Sequence, residues 1–261
     1  MSNVTILSAV REYTFIPEYL DAANFSHFWV RARFQWAREG LKRLNIPLNQ
    51  KASAVDVGCG LGIVKKQFEQ VTSWAIDGFD VDYDSLQRAE VPRGQLYYYD
   101  ILEKRKEFEG KYDYLFLFDV LEHIDKPVEF LEACGFHLRT GGYIIINVPA
   151  MPWLYSAYDA ANGHIKRYRK SDLFRELKDA DFIVAYSNYR GFFMIPLIFL
   201  RKILSTRNKS KGEIIARGFQ VKNQIMNKIL YSLCRAESVL FRRPPSGTSL
   251  IAIARKNERT R

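Results

Sequence analysis

AVDVGCGLG, residues 54–62, sets three alternating glycines directly behind a short apolar run. Glycine has no Cβ, so a turn built from it lets the backbone approach a ligand where any side chain would collide. Working outward, short apolar runs alternate with amphipathic ones. SAVDVG (53–58), WAIDGFD (74–80), QLYYYD (95–100), YLFLFD (114–119) and YIIINVP (143–149) read as strands, and IVKKQFEQ, DSLQRAE and PVEFLEACGFHL between them as helices. That rhythm predicts a parallel sheet covered on both faces, because each crossover returns right-handed over the sheet. In such sheets ligands bind beyond the carboxyl ends of the strands, which is where the glycine turn falls.

Residues 10–45 read as helical up to the break at Asn45-Ile46-Pro47, and 1–48 as an N-terminal helical cap on a core spanning 49–190. After 150 come an aromatic loop (MPWLYSAYDAANGHIKRY), a helix that Ser171 could cap (DLFRELKDA) and a strand (FIVAYSNY). A helical insertion over 191–246, basic and apolar, precedes a last strand within 247–256. One α/β domain accommodates all of it.

Of the chain's 261 residues, 48% are hydrophobic, the composition of a globular protein. Cys59, Cys134 and Cys234 form no CxxC pair, which argues against a disulfide framework or zinc ribbon and fits a reducing cytoplasm. No signal peptide is expected from the first residues, and no segment approaches the roughly 20 apolar residues of a bilayer span. The net charge of +10 is uneven: residues 201–261 hold 15 Lys and Arg against 3 Asp and Glu. That region suits an anionic partner such as lipid headgroups, a phosphorylated substrate or nucleic acid, or is simply a solvated basic face.

The turn departs from the dinucleotide fingerprint GxGxxG, since Ile63 stands where its third glycine belongs. Asp80, ending the second strand, can accept both hydroxyls of a ribose, which suits NAD and S-adenosylmethionine alike. Asp56, two residues before Gly58, would repel a pyrophosphate but suits an ammonium group, or binds amides of the turn itself. Asp100, ending the third strand, can accept from an adenine amino group. No Tyr-x-x-x-Lys relay follows the fourth strand.

DVGCGLG, GFDVD (78–82), YYYDI (97–101), FDVLEHIDKP (118–127) and GGYIIINVPA (141–150) together resemble, in order and spacing, the class I S-adenosylmethionine-dependent methyltransferases. The resemblance implies a Rossmann-like seven-stranded sheet whose last strand is antiparallel. It implies that Gly58, Cys59, Gly60 and Gly62 line the methionine portion of the cofactor, Asp80 and Val81 the ribose, and Asp100 with Ile101 the adenine. Phe118 and Asp119 would lie near the sulfonium. HFWVRAR (27–33) resembles a stretch in which an arginine, here Arg33 with Arg31 as fallback, clamps the cofactor carboxylate.

Methyl transfer needs the acceptor held close and aligned, and a base only where the acceptor must lose a proton. His164, His123 and Asp119 are the candidates. Asp119, Glu122, His123 and His164 also resemble the metal-binding sets of ubiquinone-pathway and small-RNA 2′-O-methyltransferases, with Asp in place of one Glu; whether a metal is held stays open. GHIKRY (163–168) resembles the GHxRRY loop of small-molecule, sugar- or lipid-modifying methyltransferases, with Lys166 in place of the first Arg. Trp153, Tyr158, His164, Arg167 and Tyr168 are thereby expected at the substrate, a small or lipid-linked molecule methylated at oxygen. GFFMIPLIFLRKIL and the basic residues after it, within 191–243, suit the interface of an anionic membrane, which would make the chain peripheral to it. Methylation of nucleic acid through the basic region, or NAD(P) binding, are the competing readings; the chain has no (D/N)PPY motif of base N-methyltransferases.

Overall fold

A computed structural model of the chain describes residues 4–10, 25–90, 93–204, 214, 221 and 223–258. Residues 11–24 of the expected helical cap and nearly all of 205–222 lie outside the described residues.

The first half contains β1 (Val4–Ile6), α1 (Phe28–Arg43), β2 (Ser53–Val57), α2 (Ile63–Glu69), β3 (Ala75–Asp80), α3 (Tyr83–Arg88), β4 (Leu96–Tyr98) and β5 (Tyr112–Phe118). The second contains α4 (Pro127–His137), β6 (Leu138–Pro149), α5 (Ala157–Ala161), α6 (Lys170–Asp179), β7 (Phe182–Arg190), α7 (Ile195–Leu204), α8 (Gln224–Leu240) and β8 (Ser249–Lys256). The strands form one sheet in the order β1-β4-β3-β2-β5-β6-β8-β7, with β8 antiparallel to both neighbours and every other pairing parallel. The order reverses between β2 and β5, so their carboxyl ends diverge around a crevice.

The central strands are apolar on both sides because both faces are covered. Val55, Leu115, Leu117, Ile144 and Ile146 pack on one face with α4 and α6. Ala54, Phe116, Ile145 and Ile253 pack on the other with Ala37 and Leu41 of α1. There Trp74 stacks on Tyr114 with ring centres 4.1 Å apart.

Seven of the eight strands are those expected, and the eighth corrects the count. Val4–Ile6 lies inside the stretch read as helical cap, yet pairs parallel with Leu96–Tyr98 at the sheet edge. Three residues carry no detectable period, and backbone pairing alone decides their conformation. Ser171 does not cap α6: that helix starts at Lys170, whose amide donates to the Tyr189 hydroxyl at 3.0 Å. A tyrosine of the neighbouring strand does the work assigned to the serine.

The insertion returns to the body through α8. Asn227 accepts from the Phe28 amide at 2.7 Å and donates to Ser26 O at 2.8 Å, while Arg31 lies 3.8 Å over the Tyr231 ring. Buried Glu237 accepts from the amides of Gly191 (2.9 Å) and Phe193 (3.2 Å), fastening α8 to the turn between β7 and α7. Glu237→Ala strips two buried amides of their acceptor and should destabilise the fold by about 2–4 kcal/mol in denaturant unfolding. An unchanged midpoint would show that this joint is not structural.

Candidate active site

The turn between β2 and α2 is held by backbone and carboxylate together. Gly58 N donates to Phe79 O at 2.8 Å, and Gly60 N donates to the Asp80 carboxylate at 2.6 Å. The other oxygen of Asp80 accepts from Asp82 N at 2.9 Å. Gly58 and Gly60 have φ of +69° and +48°, the left-handed region. Their surroundings differ: a Cβ on Gly58 would stand 2.5 Å from Val120 Cγ2, whereas one on Gly60 would meet nothing within 4 Å. Asp56 is buried and accepts from Lys65 N at 3.3 Å, so it does bind an amide of the following helix. Burial pushes the Asp56 carboxyl up to about 7 and that of Asp80 up to about 6, the latter against the pull of its two amide donors.

Gly60 opens on a cavity of about 1090 Å³ that Asp56, Gly58, Cys59, Asp80, Val81, Asp100, Ile101, Phe118 and Asp119 all line. That volume is at the top of the usual range for small-molecule pockets, about 300–1,000 Å³, leaving room for two molecules. The Asp100 carboxylate caps the short helical turn Ile101–Glu103 by accepting from Leu102 N at 3.0 Å. Gly62 is not among the lining residues; it sits at the N-terminus of α2, in the cap position. Arg33, buried on α1, ion-pairs with Asp119. Asp119 has φ +55° and also accepts from Asn147, whose own oxygen accepts from Ser249 at 3.2 Å.

The acceptor side is organised around Asp159. Its carboxylate takes a hydrogen bond from Arg167 Nε at 2.8 Å and lies 3.2 Å from His164 Nδ1. Burial opposes its charge, but the His164 hydrogen bond and the Arg167 guanidinium overrule that and hold it well below the usual carboxylate range. A charged Asp159 must accept, so in the neutral imidazole the His164 proton sits on Nδ1 and Nε2 is left as an acceptor. The Tyr155 hydroxyl fixes the same residue by donating to His164 O at 2.8 Å. His164 Nε2 is 3.9 Å from Glu122 Oε1. Glu122 is 1% exposed, neither of its side-chain oxygens has a hydrogen-bond partner among the described residues, and burial pushes its carboxyl up to about 8. His123 approaches Gly163 O at 3.2 Å through Nδ1, and burial with the neighbouring His164 brings it down to about 4.

Of the four residues expected to ligate a metal, three come together: Glu122, His123 and His164 can place ligand atoms within 4.8 Å of one another. Asp119 is not in that set, because Arg33 and Asn147 hold it. Tyr158, His164 and Arg167 line the cavity. Trp153 and Tyr168 do not. Trp153 lies on the surface against Phe199, and Tyr168 is wholly buried with its hydroxyl donating to Leu121 O at 3.2 Å. Tyr168 is turned inward because the backbone at Ala150 pairs with it, fixing which side of the loop faces the core. Sequence reasoning missed Arg201 of α7, which lines the cavity and stacks 3.9 Å over the Tyr158 ring. It lies in a segment with no motif. It also missed the pairing of Asp159 with His164, for which the signal was the five-residue spacing across α5.

A methyltransferase domain family model matches residues 29–186, and the chain belongs to that family. Its fold is that of the class I S-adenosylmethionine-dependent methyltransferases whose motifs the sequence resembles. Over 99 residues it is 27% identical to the ubiquinone biosynthesis O-methyltransferase of Shewanella halifaxensis, covering 36% of this chain and 42% of that protein's length. Phosphoethanolamine N-methyltransferase 2 of Haemonchus contortus, solved with S-adenosyl-L-methionine, superposes with a TM-score of 0.60 at 17% identity, over 96% of this chain and 60% of that one. An S-adenosylmethionine-dependent methyltransferase of Archaeoglobus fulgidus gives 0.51 at 18% identity, over 86% and 94%. Likeness at such identities shows the fold.

The residues present fit the donor: the space over Gly60 is one a Cβ would fill, and buried Asp56 and half-buried Asp80 face the cavity with carboxylates suited to an ammonium group and a ribose. Gly60→Ala should cost the fold only about 1–2 kcal/mol while weakening S-adenosylhomocysteine binding at least tenfold by calorimetry. Gly58→Ala should instead lower the melting temperature through Val120. Equal binding by Gly60→Ala and wild type would assign that space to something else.

The carboxyl shifts make donor binding pH-dependent. Between pH 8 and 5.5, S-adenosylhomocysteine affinity should fall by about tenfold or more as Asp56 and Asp80 take up protons. In the donor-free protein both folded pKa values stand above the unfolded ones. The stability these groups contribute is therefore complete below about pH 4 and lost as pH rises through 6 to 7. Asp56→Asn should flatten the melting-temperature profile across that window; an unaltered profile would remove Asp56 from the account.

Proposed function

We propose that the chain methylates a hydroxyl oxygen of a small or lipid-linked acceptor, with His164 as the general base. The observation that carries this reading is the Asp159–His164 pair, which leaves an acceptor nitrogen on the wall of the donor cavity. S-adenosylmethionine supplies the methyl group on a sulfonium and leaves as S-adenosylhomocysteine. An acceptor hydroxyl between His164 and Glu122 would pass its proton to Nε2 as its oxygen takes the methyl group. Asp159 stabilises the imidazolium so formed and keeps the ring from turning. Glu122, protonated at neutral pH, is a hydrogen-bond donor to the same oxygen. The Arg33–Asp119 pair bounds the cavity from α1, so Asp119 positions and does not take the proton, and Arg33 reaches the donor carboxylate from that side.

The kinship with an O-methyltransferase of ubiquinone biosynthesis supports an oxygen acceptor with an apolar body. An acceptor of that kind is met at a membrane, and the exposed apolar side of α7 suits one. No described helix is long and apolar enough to cross a membrane.

The trio of Glu122, His123 and His164 favours a second reading, in which a divalent cation held there lowers the pKa of the acceptor hydroxyl. Transfer to a panel of phenols, catechols and polyprenyl-linked sugars, read as S-adenosylhomocysteine release, separates the two. Full activity in chelator supports the base, and activity restored only by Mg²⁺ or Mn²⁺ supports the cation. With the base, His164→Ala should lower kcat by about 10²–10⁴-fold with donor affinity unchanged, and Asp159→Asn should lower it less. Transfer to amines alone would overturn the oxygen assignment.

A further inference from the structure

Helix α7 is built inside out. Pro196, Phe199, Leu200 and Ile203 share one side of it by helical spacing, and all are exposed, Leu200 by 52% and Ile203 by 60%. No charged residue stands on that side. The two charged residues of the helix turn toward the body: Arg201 stacks on Tyr158, and Lys202 donates to Trp153 O at 2.5 Å. A surface helix facing water has the opposite arrangement. Trp153, 49% exposed and 6.1 Å from Phe199, widens the apolar face. On α8 a second stripe of Ile225, Met226, Ile229, Leu233 and Leu240 is exposed along one side.

We infer that the outer face of α7, with Trp153 beside it, lies in the interface of an anionic lipid bilayer. A second copy of this chain could cover an apolar face, but it would bring the same charge. Residues 191–243 carry 11 Lys and Arg against 2 Asp and Glu, and the chain as a whole is +10. Two copies of a chain at +10 repel each other, whereas acidic headgroups attract it. Ten residues suit a helix lying in the interface, far short of a span. The inner side of the same helix, through Ile198 and Arg201, lines the cavity, so the bilayer face and the acceptor site are two sides of one helix. An acceptor with an apolar tail then reaches His164 without leaving lipid. That last step rests on the acceptor reading above; the membrane face does not.

The test is flotation of the full chain with vesicles of phosphatidylcholine alone and with about one-third phosphatidylglycerol, at low and high salt. Flotation with the acidic vesicles that weakens in salt is expected, and Leu200→Glu/Ile203→Glu should reduce the partition coefficient at least tenfold while S-adenosylhomocysteine affinity stays as in wild type. Quenching of tryptophan fluorescence by brominated lipid should disappear in Trp153→Phe. Absence of flotation with acidic vesicles at low salt overturns the inference. So does a dimer in sedimentation equilibrium that the double variant dissociates, which assigns the face to a second copy. Neither outcome bears on which atom is methylated, since no acceptor is present.

Discussion

One carboxylate ties the donor half of the molecule together. Asp80 ends β3 and takes amides from Gly60 on one side and Asp82 on the other. It therefore fixes the glycine turn against the neighbouring strand and sets the start of α3, where Asp82 in turn accepts from Ser85 N. Burying that charge is unfavourable, and the two amides offset only part of the cost. What remains is an acidic, poorly hydrated floor at the point where the strand order reverses, suited to a ligand that brings hydroxyl donors.

The acceptor half is assembled from different material. Asp159, His164 and Arg167 come from the loop after β6 and Arg201 from α7, neither of which belongs to the alternating core, while Glu122 and His123 follow β5. Asp159, Arg167 and His164 form a closed set in which each side chain limits the others, so the imidazole is oriented before any substrate arrives. Glu122 is the exception: its buried carboxyl has no hydrogen-bond partner among the described residues and lies 3.9 Å from His164 Nε2.

The strands β2 to β6 were legible because they are buried on both faces and so read as unbroken apolar runs between turn residues. The glycine turn and the acids at 80 and 100 could be placed from the sequence because the ends of strands are set by backbone position alone. Side-chain direction was not. Trp153 and Tyr168 sit in the loop that does build the site, yet which face of that loop looks inward is set by pairing at Ala150. The fourth metal candidate was lost for a similar reason, since Arg33, 86 residues earlier in the chain, reaches Asp119 only once α1 has packed. Arg201 was invisible because it belongs to a helix whose polarity runs against the usual pattern.

The position of β8 has a consequence for how the chain is made. It lies between β6 and β7, but 58 residues separate the end of β7 from its beginning. As the polypeptide leaves the ribosome, β6 and β7 are available well before the strand that belongs between them. Until that strand arrives both present open edges, and the nascent molecule must keep a slot one strand wide. The long excursion is thus a delay as well as a surface, and holding that slot free of other chains is a task for whatever attends the protein at birth.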